Sequence, residues 1–197
     1  MSKAWTVVGL DPDGTVLENA RRVLAVRIAE YYSFAPIVAH PELQDGLHDL
    51  RIAAKRLRYT LELFRTQLGE TSEGQITRVK AIQEALGILH DHDVRIALIG
   101  DELSHVAVER SHGHLDAIAL ADPAELAAIV ASALRPPPDD PQRGLIALLG
   151  CEHAARRADY QRFRELWDQF AGQGMRAELV ALSATPLSPQ RARAARG

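Results

Sequence analysis

Four side chains able to hold an anion recur at three- and four-residue spacing: His48, Arg51, Lys55 and Arg58, with Arg65 two turns further on. At about 100° per residue this spacing puts them on one stripe of a helix. Arginine binds oxyanions through a two-pronged N–H fork, and lysine adds a compact point charge. The chemistry this pattern suits is the capture of an anion carrying several charges. One edge of the stripe is an apolar arc of Leu50, Ala54, Leu57, Leu61, Phe64 and Leu68. On its other edge lie Ile52, Tyr59 and Leu63, leaving Asp49, Arg56, Thr60 and Gln67 as the expected solvent strip. A merely solvated basic face needs no second apolar edge, so the stripe is expected to line a groove.

Other helical segments repeat the anomaly. Arg27 falls inside the arc of Val16, Val23, Leu24, Tyr31 and Phe34. Arg156 falls inside that of Leu145, Leu149, Tyr160, Phe163 and Trp167. Lys80, Gln83, Gly87 and Asp91 share one side of a further helix, where Gly87 leaves room for a neighbour or ligand. An unpaired buried cation costs several kcal/mol, so each must find a carboxylate or meet an anion. Asp93, within the arc of Val79, Ile82, Leu86 and Leu89, is placed to pair one inward arginine. A basic stripe on a single helix is usually just solvated. Its coincidence on several helices points to a bound polyanion.

Two other readings stand beside this one. Three His-Asp dipeptides (48–49, 90–91 and 92–93) suggest a metal-dependent phosphohydrolase using His48, His90, Asp91 and Asp93. Against it, residues 90 and 92 point to different helix faces. The second is a helical scaffold for a protein partner, its basic stripe internally paired. A di-iron bundle would need two Glu-x-x-His pairs, and only Glu109–His112 fits. The sequence has no phosphate-binding glycine loop, Gly-x-Ser-x-Gly or Rossmann fingerprint, and no nucleophile–base pair. No catalytic residue, cofactor or metal is expected. His112-Gly113-His114 reads as a helix-ending turn, and Cys151 as a small packed hydrophobe.

The elements that must position these residues read as helices. Apolar periodicity marks long helices over 15–35, 42–68, 73–99 and 142–171, and short ones over 102–111, 123–134 and 175–184. Asp13 or Thr15 is the expected cap of the first. Breaks fall at Pro41, between Gly69 and Gly74, and in the proline-rich linker 135–141. The expected fold is all-α: an antiparallel bundle of four long helices plus short helices. Residues 1–14 are expected to be an extension, 15–184 one helical domain, and 185–197 a basic flexible tail. The chain has 197 residues, 47% of them hydrophobic and 25% charged, enough for a large single core. A net charge of −3 and only 5% aromatics argue against a nucleic-acid surface with stacking platforms. A lone cysteine suits a reducing compartment, and no apolar run reaches a membrane span. A soluble, cytoplasmic protein is expected.

The run Leu47-His48-Asp49-Leu50-Arg51-Ile52-Ala53-Ala54-Lys55-Arg56-Leu57-Arg58-Tyr59 resembles the signature helix of the CHAD domain, the conserved histidine α-helical domain. The later run Leu86-Gly87-Ile88-Leu89-His90-Asp91-His92-Asp93-Val94 resembles the second signature of that family. The resemblance implies an all-helical bacterial protein with a basic central channel that binds inorganic polyphosphate, in some members at polyphosphate granules. It carries a binding role onto His48, Arg51, Lys55 and Arg58 directly, and less directly onto Arg27, Lys80 and Arg156. Tyr59, Asp91 and Asp93 would support them. Many members carry the His-Arg helix twice, whereas it occurs once here. The resemblance therefore implies a compact form, or a homodimer that completes the channel. No specific nucleic acid or membrane partner is expected.

Overall fold

In the computed structural model, described over residues 3–134 and 140–184, Thr15 starts the first helix, α1 (Val16–Ser33). Its hydroxyl accepts from the Glu18 backbone N–H, while the Glu18 carboxylate accepts from the Thr15 N–H. This reciprocal box satisfies two of the donors a helix start leaves open. A short 3₁₀ segment (Ala35–Ala39) leads to α2 (Gln44–Leu63) and a single turn, α3 (Arg65–Leu68). Gly69, at φ +79°, ends that turn in a backbone region where only glycine is unstrained. Then come α4 (Thr71–Leu120), α5 (Leu126–Leu134), α6 (Pro141–Gly172) and α7 (Met175–Ser183). The described residues hold no strand, so the fold is all-helical.

Three boundaries differ from expectation. The helix expected over 42–68 is interrupted at Phe64, where no Gly or Pro marks the break. The segments expected over 73–99 and 102–111 are one helix, and His112-Gly113-His114 lies inside it rather than ending it. An interior glycine costs only about 1 kcal/mol relative to alanine. The Ala-, Leu- and Glu-rich turns around Gly100 and Gly113 carry that cost. The linker 135–139 and the tail 185–197 lie outside the described residues.

The chain divides into two compact units. The first comprises the described residues through His90 together with those from Asp159 onward. Its core joins Leu24, Ile28 and Tyr31 of α1, Leu50, Leu57 and Leu61 of α2, Val79, Ile82 and Leu86 of α4, Phe163 of α6, and Leu179 of α7. Most of these residues belong to the apolar arcs seen in the sequence, to which Ile28 and Leu179 are added, while Val16 of the α1 arc is exposed. Polar anchors tie the pieces together. The Tyr160 hydroxyl donates to the Val38 carbonyl at 2.7 Å, fixing the 3₁₀ segment to α6. Gln75 and Arg78 both donate to Glu178, fixing α7 to α4. Glu30 is 1% exposed and accepts from Arg27 at 2.5 Å and Arg56 at 2.6 Å. The expected solvent strip of α2 is therefore partly covered: Thr60 is buried, and Arg56 turns to Glu30 on α1.

The second unit, Asp91–Ala158, contains the later half of α4, α5 and the early half of α6. Among its described residues the buried ones are polar: His92, Asp140 and Arg156. Asp140 accepts from the Gln142 backbone N–H at 3.0 Å and from Arg110 at 2.5 Å, which caps α6 just ahead of Pro141. His92 and Arg95 both bond Glu152, and these bonds hold its carboxyl below the usual range. Cys151 is exposed, contrary to the packed position expected for it. Among the described residues no helix is long and apolar enough to cross a membrane.

Candidate anion-binding site

The basic stripe survives folding. Leu47, Leu50, Ala54, Leu57 and Leu61 bury one side of α2, which fixes its rotation and turns the stripe toward the flank beside α4. Two contacts set the register between them. The His48 and His90 rings stand 4.7 Å apart. A β-carbon added at Gly87 would meet Arg51 Nε at 3.6 Å. Residue numbers rise along one helix as they fall along the other, so the two run antiparallel here. Continued in the same register, Lys55 falls level with Gln83, and Arg58 with Lys80. At that distance an added β-carbon would be in ordinary van der Waals contact with Arg51.

The site is under-neutralised. Among the described residues, neither Arg51 nor Lys55 forms an ion pair with a carboxylate. Arg58 has only Glu62, at 3.7 Å, and Lys80 only Glu84, also at 3.7 Å. His48 Nδ1, Arg51 Nε, Arg58 Nε and Gln83 Oε1 are buried without a hydrogen-bond partner. Orphaned buried donors are costly, and three of these four are nitrogens of the stripe. A phosphate oxygen is a group that would satisfy them. Tyr59 is half exposed, with Arg58 Cζ 4.8 Å and Lys55 Nζ 5.7 Å from its ring centre. Its face steadies two long cations without neutralising either. Burial, with His90 and Arg51 nearby, lowers the His48 pKa, against an opposing pull from Asp49.

The remaining expected cations are placed differently. Arg27 is bound to Glu30 and donates to the Trp5 carbonyl at 3.0 Å. Arg156 lies in the second unit and forks onto Asp93 at 2.5 and 3.3 Å, the pairing for which Asp93 was singled out. Asp91 is exposed, also in the second unit. Arg65 sits on α3 with Glu73 at 3.4 Å. The structure thus gathers His48, Arg51, Lys55, Arg58 and Tyr59 on α2, faced by His90, Gly87 and Gln83 of α4. His90 entered the sequence reading only as a metal ligand. Its place against His48 follows from interhelical register, which a single-helix wheel does not contain. Among the described residues, no three His, Cys, Asp or Glu side chains converge as a metal site.

Along this helix pair, His48, Arg51 and Arg58 thus each carry a buried nitrogen without a hydrogen-bond partner. The CHAD domain family model matches residues 5–100, a span that takes in α1, α2 and the first three-fifths of α4. That segment is a CHAD domain sequence, as the two signature runs implied. No curated protein and no solved structure matches the chain.

Proposed function

We propose that the protein binds inorganic polyphosphate, without catalysis, along the α2 stripe, with Arg51, Lys55 and Arg58 on successive phosphates and His48 at one end. The observation that carries this reading is the row of buried, partnerless nitrogens on His48, Arg51 and Arg58, with Gly87 of α4 facing Arg51. The CHAD match supports it. The reading includes the antiparallel arrangement of the four long helices, a cytoplasmic location and association with polyphosphate granules. Lys80, level with Arg58, extends the same path. Arg27 already has a carboxylate, so it enters as a second-rank contact, and Arg156 is engaged by Asp93 within the second unit.

The test is binding of labelled long-chain polyphosphate across a salt series, with RNA as competitor. Four cations on a flexible polyanion give a slope of about −3 in log K against log salt. Tight, salt-weakened binding that resists RNA, with no release of free phosphate in magnesium or manganese, is the expected result. No binding at low salt would overturn the reading.

The site also has a pH signature. The folded His48 pKa lies below its ordinary value, so the free protein holds that ring neutral at pH 7. A phosphate alongside favours the imidazolium and raises the pKa again. Binding then takes up a proton, and affinity rises as pH falls from about 8 toward 6. The same depression makes the unfolded chain bind the proton first, so the His48 contribution to stability is intact above its ordinary pKa of 6.5 and is lost as pH falls below it. Calorimetry in two buffers of different ionisation enthalpy reads the proton uptake. His48→Gln is expected to abolish it.

A further inference from the structure

The outward face of α4 within the second unit carries a repeat that the anion site does not use. Val94, Leu98, Val108 and Leu115 are exposed, the two leucines by 63% and 64%. Asp101, His105 and His112 are exposed on the same line. Together they alternate at spacings of four and three over residues 94–115. This is the four–three spacing of a coiled-coil seam, and it lies on the solvent side. The inward side is a different set, including Ile96, Ile99, Leu103 and Val106, all partly buried. The seam is thus not this unit's own core face displaced by fraying.

We propose that a second copy of this chain docks on this seam, pairing the two α4 helices antiparallel so that Leu98 meets Leu115 and Asp101 meets His112 of the other copy. The occupant follows from the order of residues. Reversed on itself in this register, the seam sets Leu98 on Leu115, Asp101 on His112 and His105 on Val108, with Val94 on Ala119. Every layer then joins apolar to apolar, acid to base, or an imidazole ring to valine, and two-fold symmetry repeats each one. A parallel pair would stack Asp101 on Asp101 and His105 on His105. An antiparallel pair slipped by one heptad would bury Val94 against His112 and Leu115 against Asp91. Polar groups at seam positions lower stability but select register, because wrong alignments leave them unmatched. The flanks agree in part. Ala97, Ser104 and Ser111 are small enough for close approach, and Arg95 lies level with Asp116 of the other copy. Glu102 lies level with Glu109, a like-charged pair, but His105 Nε2 already holds Glu109 at 3.3 Å within its own helix.

The test uses the full chain in a Cys151→Ser background, because Cys151 is exposed. Leu98→Cys and Leu115→Cys proteins are mixed and oxidised, and each is also oxidised alone. Cross-linked product in the mixture, in large excess over either protein alone, is the expected result. Sedimentation velocity over a dilution series should show a dimer that Leu98→Glu converts to monomer. Leu98 is exposed, so that variant keeps its fold, and unchanged far-UV circular dichroism checks this. Polyphosphate binding should persist in the monomeric variant, which separates this surface from the α2 stripe. A chain that sediments as monomer at every concentration overturns the proposal. So does preferential cross-linking of Leu98→Cys to itself, or to Val108→Cys, which would mark the parallel and slipped arrangements.

Discussion

Replacing Arg51 and Arg58 together by alanine is expected to lower polyphosphate affinity about a hundredfold or more, with helix content unchanged. The size follows from the chemistry of the bonds removed. A hydrogen bond to a charged group contributes about 1.5–3 kcal/mol, and two such bonds give two to four orders of magnitude in the dissociation constant. Stability should hold because neither arginine neutralises a buried acid. Arg51 has no carboxylate partner among the described residues, and the contact of Arg58 with Glu62 is long. Removing two cations should also flatten the salt dependence by about 1.4 in log–log slope. Fluorescence anisotropy at several salt concentrations reads both quantities. Affinity and slope unchanged in the double variant would remove the stripe from the binding path.

Glu30→Ala should have the opposite profile, a large loss of stability. Glu30 bridges Arg27 of α1 and Arg56 of α2, and it also accepts from the Trp5 backbone N–H at 3.3 Å. Truncating it removes the carboxylate that both guanidinium groups share in a largely covered position. Removing one partner of a buried pair costs about 3–5 kcal/mol. For a chain of this size that is a fall of about 10 °C in melting temperature. Glu30→Gln keeps an acceptor for part of the network and should cost less. Arg27→Ala should shift the melting temperature more than the affinity, since its guanidinium is committed to Glu30 and the Trp5 carbonyl. Thermal denaturation of the three variants, with anisotropy of the survivors, distinguishes a structural Arg27 from a ligand-binding one.

The contrast between these arginines shows where sequence reasoning reached its limit. Helix positions were legible because each helix carries its own apolar arc, and that arc fixes which way the helix rolls. The α2 stripe was legible for the same reason: it is defined relative to Leu50, Leu57 and Leu61 on the same helix. Asp93 was legible as the partner of one inward arginine, but which arginine it meets was not, because that depends on packing between helices. Glu30 answers Arg56 from another helix, and Asp93 answers Arg156 across 63 residues of sequence. The approach of the His48 ring to His90 likewise depends on register between helices. The continuity of α4 through Gly100 and Gly113 was missed for an energetic reason. Single glycines weaken a helix by less than its neighbours contribute.

The absence of buried hydrophobic side chains among the described residues of Asp91–Ala158 has a consequence for how the molecule comes apart. Apolar burial sets the free energy at which a segment opens, and here that burial is concentrated in the other unit. Local opening of residues 91–158 therefore lies well below global unfolding in free energy, and their amides exchange with solvent ahead of those in α1 and α2. The chain then has no single unfolding free energy, because its two units melt on different scales. A polyanion on the α2 stripe stabilises the unit that holds it through mass action, raising the upper transition and widening the interval between the two.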